Sequence, residues 1–268
     1  MAKTASGKVI NQWLSILKVI GFALVIQGCA TTSDVIEISN SLPPEKLSIY
    51  NDSFNTIQDD KWDRAGMVFN KKQLKNFKLA DLRTENNQLV VTTKTGAFSK
   101  GGLDTKYAIG GDFDIQLECQ FELLKGIHKM DQRVSFLVYD KSKTVDKTDY
   151  VIFEIAKRGG GNHGSIFSGH SKSGRFHPGN SRRIDNFKGS LRFIRQGNRI
   201  STLFKKETME KWVKLNTFSS TTANLTVGFM VVNFYSSRGA SIDAKKSVKA
   251  TFDNFQINAA QSIQEEDI

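Results

Sequence analysis

Between Asp112 and Leu123 polar and apolar residues alternate without a break. Phe113, Ile115, Leu117, Cys119, Phe121 and Leu123 interleave with Asp112, Asp114, Gln116, Glu118, Gln120 and Glu122. A period of two belongs to a β-strand, whose successive side chains point to opposite faces; a helix would scatter these residues around its axis. The run therefore predicts a long strand with one face on a core and the other turned to water or to a ligand.

The same pattern recurs along the chain. Strands are expected at 89–93, 134–139, 150–155, 191–195, 199–204, 212–215, 225–235 and 248–257, where β-branched and aromatic residues cluster between turn-forming residues. Gln196-Gly197-Asn198 separates two of these runs and reads as a tight hairpin, since Gly and Asn tolerate the positive backbone dihedrals such turns need. After the first thirty or so residues no window of helical length shows a 3.6-residue period, and no linker or internal repeat divides the chain. These signs predict one all-β domain over residues 49–258, a two-sheet antiparallel sandwich.

Four segments carry a family resemblance. Gly111-Asp112-Phe113-Asp114-Ile115 opens the long strand, and Leu191 to Ile200 encloses an Arg-x-Gly-Asn hairpin. Trp212-Val213-Lys214-Leu215 follows, and Phe252-Asp253-Asn254-Phe255 lies near the end. In this order they resemble concanavalin A-like lectin/glucanase domains, in particular the LamG-like branches of unknown function found on bacterial exported proteins. The resemblance covers roughly Tyr50 to Asn258 and implies a jelly roll whose concave sheet and rim loops hold a saccharide. Related sandwiches often bind structural calcium through loop oxygens, and no other cofactor is implied. Retaining glucanases of this fold carry a Glu-x-Asp-x-x-Glu signature on one strand. That signature is missing here, so the resemblance implies the fold more than the hydrolysis.

The N-terminus points to an address. Lys3, Lys8 and Lys18 precede the apolar run Val19–Ile26, and no acidic residue occurs before Asp34. A basic stretch, a short apolar core and small residues at a cut site form the grammar of a signal peptide. Ile26-Gln27-Gly28-Cys29 resembles the lipobox of bacterial lipoproteins, which implies cleavage after residue 28 and acylation of Cys29. The run is shorter than the roughly 18–20 apolar residues a spanning helix needs. Ala30, in place of an Asp retention signal, resembles lipoproteins sorted to an outer membrane. Residues 29–48 read as a flexible tether and 259–268 as a disordered acidic tail.

Charge and cysteines narrow the partners. The formal net charge is +11, and +8 once the leader's lysines are gone. That balance favours anionic partners such as membrane headgroups or acidic polysaccharide. No nucleic-acid-binding motif accompanies it. Cys119 is the only cysteine besides Cys29, so no intrachain disulfide is expected after acylation, and its place on the apolar face suits a buried thiol.

Two regions could carry a ligand. Glu118 and Glu122 share the polar face of the long strand, but four strand residues put their backbones about 13 Å apart, too far for a standard glycosidase pair. A solvated sheet face would need the same polar residues. The second region, Lys157–Arg183, reads as a long basic loop with His163, His170, Arg175, Phe176, His177 and Arg182. Its arginines suit sulfate or carboxylate groups and its aromatics suit a sugar face. Its three histidines could ligate a metal, yet no cysteine or nearby carboxylate completes a set. The expected function is a lipid-anchored, non-catalytic glycan-binding protein; a polysaccharide hydrolase or lyase, or a scaffold for another envelope component, are the alternatives.

Overall fold

The computed structural model describes residues 36–65, 77–125, 130–144, 147–158, 161, 163–237, 240–242 and 244–265. Cys29, the leader, the first part of the tether and residues 266–268 lie outside them. Among the described residues no helix is long and apolar enough to cross a membrane.

Among the described residues one five-residue helix, α1 (Pro44–Ser48), precedes fifteen strands. The first five are β1 (Trp62–Arg64), β2 (Phe77–Leu79), β3 (Asp81–Glu85), β4 (Gln88–Thr92) and β5 (Phe98–Glu122). Then come β6 (Met130–Tyr139), β7 (Tyr150–Lys157), β8 (Gly164–Lys172), β9 (Arg175–Ile184) and β10 (Asn186–Gln196). The last are β11 (Arg199–Lys206), β12 (Val213–Ser219), β13 (Leu225–Ser237), β14 (Ala240–Ile242) and β15 (Lys249–Glu265).

The alternating segment is the second half of β5, a strand that belongs to both layers. Its first half pairs with β13, which continues through β6, β7, β8 and β9. Its second half lies between β10, which leads to β11 and β12, and β15, which leads to β4 and β3. The change of neighbour falls at Gly110-Gly111. Gly111 has φ +65°, and a Cβ there would lie 2.2 Å from Gln261 Oε1. Only glycine takes this bend without strain, and the bend lets one strand pass between the two sheets. Nearly all pairings are antiparallel, and the fold is a concanavalin A-like jelly-roll sandwich.

The core lies between the sheets. Phe136 and Phe153 of one sheet meet Phe193 of the other at 4.8 and 6.4 Å between ring centroids. Phe229 of β13 meets Phe252 of β15 at 4.6 Å. Trp62 is buried against Phe54, Phe229 and Phe255, and its Nε1 donates to Asp52 Oδ2 at 2.7 Å. Every apolar residue predicted to face inward from Phe113 to Phe121 is buried. At the far edges Asn216 Nδ2 donates to Ser168 Oγ at 2.7 Å, and Asn180 N donates to Asn216 Oδ1 at 3.1 Å, joining β12 to β8 and β9.

Three segments differ from expectation. The tail does not fray at Ala259: β15 continues to Glu265 along β5, and Ala260 is fully buried, because small alternating residues let the strand keep its partner. The second half of the tether packs on the domain: Leu42 N donates to Ala260 O at 2.7 Å, and Pro44 starts α1, where Leu47 is buried. Lys157–Arg183 is mostly an edge hairpin, β8–β9, turning at Ser173-Gly174 with φ of 51° and 77°. The hairpin predicted at Gly197 is present, with Gln196 opposite Arg199; Gly197, at φ +60°, is the turn residue with positive φ.

Candidate functional site

The polar face of β5 forms the floor of a groove with a volume of about 820 Å³. Pairing sets its side chains in rows across three strands. Ser190, Glu118 and Asp253 form one row, Lys188, Gln120 and Thr251 the next, and Arg192 and Gln116 a third. Lys205, Lys206, Glu207 and Trp212 make one wall, and Gln88 of β4 closes the other side.

Hydrogen bonds hold this floor in place. Asn254 Nδ2 donates to Glu118 Oε2 at 3.1 Å, and Gln88 Nε2 to Asp253 Oδ2 at 3.2 Å. Gln116 Nε2 donates to Gln256 Oε1 at 2.8 Å, and Asn258 Nδ2 reaches Asp114 Oδ1 at 3.2 Å. Under one end lies a buried ion pair. Arg192 Nε donates to Asp114 Oδ1 at 2.7 Å and Nη2 to Oδ2, while its guanidinium stands 5.1 Å from the centre of the Trp212 ring. Lys205 Nζ lies 5.3 Å from the same ring. Trp212 is buried to within 8% and so braces this wall.

The Phe-Asp-Asn-Phe segment explains part of the design. Phe252 and Phe255 both enter the core, which a strict strand would forbid for positions three apart. A bulge between Asp253 and Gln256, with Asn254 at φ +44°, absorbs the extra residue. Asp253 is thereby delivered to the groove beside Glu118. Asp253 accepts from Gln88 Nε2 and from the Asn254 backbone N–H, and the Asn254 side chain donates to Glu118. Among the described residues no group of three or more His, Cys, Asp or Glu could hold a metal.

The sequence-predicted residues fall into separate places. Glu118 is on the groove floor, whereas Glu122 lines an adjoining recess with Gln120 and Lys206. His163, His170, Arg175, Phe176, His177 and Arg182 line neither. Register splits the hairpin set further: His170 pairs with His177 and Lys172 with Arg175 on one face, and Phe176 lies on the other. There Phe176 stacks on Tyr150 at 6.3 Å, and Arg158 covers the Phe167 ring at 4.7 Å. Arg182 sits opposite Ile166, about 13 Å along the strand from the histidine pair. His163 precedes β8. The Cys119 thiol is buried, which pushes its pKa far up and keeps it protonated. Sequence reasoning set Gln116 on the polar strand face but did not single out Lys188, Ser190 or Arg192; of these only Arg192 falls within the strand expected at 191–195.

The fold and the groove place this chain in the structural class of concanavalin A-like jelly rolls. No protein-family model matches it, and neither does any curated protein. Among solved structures it is similar to a Bacillus licheniformis beta-glucanase, with 10% identity, a TM-score of 0.52, and coverage of 82% of this chain and 99% of that one. A Bacteroides ovatus mixed-linkage glucan GH16 protein in complex with a G4G4G3G product is 11% identical, with TM-score 0.55 and coverage of 78% and 99%. The CBM2 module of a Lactobacillus casei BL23 phage J-1 evolved Dit is 8% identical, with TM-score 0.53 and coverage of 78% and 95%. At these identities the likeness establishes the fold.

Proposed function

We propose that this chain is an envelope lipoprotein, acylated at Cys29, whose jelly roll binds a glycan in the groove on the polar face of β5. The observation that carries the reading is the groove itself. It is a preformed cleft of about 820 Å³ floored by carboxylates and amides at strand spacing, the donor and acceptor pattern that sugar hydroxyls match. Its charges balance, with Asp114, Glu118, Asp253 and Glu207 against Lys188, Arg192, Lys205 and Lys206. A hydroxyl-rich, uncharged stretch of polysaccharide suits such a surface. The similar structures include a carbohydrate-binding module and glucanases, which supports a carbohydrate ligand.

The test is a glycan array and titration with the purified protein in mild detergent. Ser190→Trp, which fills the groove, should abolish binding of neutral glycans. Retained binding sinks the groove assignment. Cys29→Ser should release the protein from membranes and block lipid labelling.

One observation favours hydrolysis as a second reading. Glu118 and Asp253 are direct cross-strand partners with Cβ atoms about 5 Å apart, which puts two carboxylates side by side on the groove floor, the pairing that retaining glycosidases use. A reducing-end assay decides it: product formation that disappears in both Glu118→Gln and Asp253→Asn establishes an enzyme.

A further inference from the structure

Away from the groove, the β8–β9 hairpin carries a cluster of basic side chains on one face. His170 and His177 stack at 5.0 Å between ring centroids, and the other face of His170 meets Phe218 of β12 at 4.9 Å. His170 Nδ1 is buried and has no hydrogen-bond partner. Lys172 and Arg175 pair one step along the same face. Two imidazoles, an ammonium and a guanidinium thus share one face of the hairpin, with an orphaned ring nitrogen among them.

We propose that this cluster is a proton-gated anion site that takes a sulfate ester or uronate carboxylate of an acidic polysaccharide. The proposal rests on the glycan-binding reading but uses a different surface. The groups facing the pair come from four elements. β8 supplies Lys172, β9 supplies Arg175, and β12 supplies Phe218 and Asn216. β7 supplies Val151 opposite His170, and Asp149 lies just before that strand. Asp149 is the nearest carboxylate by register, and it is taken up by Lys143 Nζ at 2.6 Å and by the Ser173 amide at 2.6 Å. Lys172 also lies in the field of Asp149, whereas Arg175 and the two imidazoles have no ion-pair partner among the described residues, so an incoming anion meets them unpaired. Burial, then His177 and Lys172, hold the His170 pKa below the ordinary imidazole value, so the free site favours the neutral form of this ring. An anion reverses that balance by stabilising the protonated His170 ring.

Proton linkage gives the expected size. If the anion raises the His170 pKa by one unit, affinity rises by at most about tenfold on the acid side of the titration. Dextran sulfate titrated into the full-length protein in detergent should bind about fivefold more tightly at pH 5.5 than at pH 7.5. Neutral dextran should show no such ratio. His177→Gln, at an exposed position, should flatten the pH ratio, and Arg175→Gln should weaken binding at both pH values. Should His170→Gln fail to fold because of its contact with Phe218, the His177 variant still decides. Ser190→Trp separates the two surfaces: the dextran sulfate ratio should survive it. A ratio that persists in His177→Gln, or that vanishes in Ser190→Trp, overturns the proposal. Competition by anionic phosphatidylglycerol vesicles with the same pH ratio would reassign the site to a lipid surface.

Discussion

Replacing Asp114 by alanine tests how the groove floor is held up. The Asp114 and Arg192 side chains are 2% and 3% exposed, and the guanidinium reaches both carboxylate oxygens from the neighbouring strand. Removing the carboxylate leaves a desolvated cation beside the Trp212 ring, and Asn258 loses an acceptor. Breaking a buried pair from one side costs about 3–5 kcal/mol, most of it the penalty of the abandoned charge. For a domain of this size each kcal/mol moves Tm by about 2–4 °C, so a fall of roughly 10 °C is expected. Urea unfolding followed by circular dichroism provides the free energy. The decisive comparison is Asp114→Leu with Arg192→Met, which removes both charges and should recover most of the loss. The reasoning fails if Asp114→Ala costs less than about 1 kcal/mol. It also fails if the double variant is as unstable as the two single changes added together.

Three further outcomes are expected. Because the His170 pKa is lowered on folding, the unfolded chain binds the proton first. Stability should therefore fall as pH drops through about 6.5, and His170→Gln should remove that dependence in melts between pH 5 and 8. Trp62→Phe keeps the ring but deletes the donor to Asp52; about 1–3 kcal/mol should be lost in denaturant unfolding, and an unchanged midpoint would remove Asp52 from the account of the core. Gly111→Ala places a Cβ against Gln261 at φ +65° and should cost more than about 1 kcal/mol by the same measurement, whereas a neutral result would show that β5 needs no glycine to change sheets.

Much of the sandwich was legible because burial imposes a period. Phe113 to Phe121 could be sorted by alternation alone, whereas Val134 to Tyr139 and Leu191 to Arg195 were marked as strands by their β-branched and aromatic residues. The short strands β1, β2 and β3 were not legible, since three to five residues hold too few positions to show a period. The β8–β9 hairpin was hidden for another reason. Arg175 to Arg183 lies on an edge, exposed on nearly every position, so no apolar alternation marks it. The tail was misread because Ala259, Ala260 and Gln261 look like surface residues until β5 is seen beside them.

The candidate site divides along the same line. The sequence placed Glu118 on a polar strand face and flagged His170, Arg175 and His177 as a basic group, because residue type and local period carry that information. It could not reveal that Asp253 sits opposite Glu118, because the two are far apart in the chain and meet only when β15 pairs with β5. Nor could it separate the groove from the histidine cluster, or put Phe176 on the opposite face from His177, since register across a hairpin decides both. Strand period and the apolar run that precedes Cys29 are local properties of the chain. Grooves, facing carboxylates and stacked imidazoles exist only where hydrogen-bonded strands bring distant residues side by side.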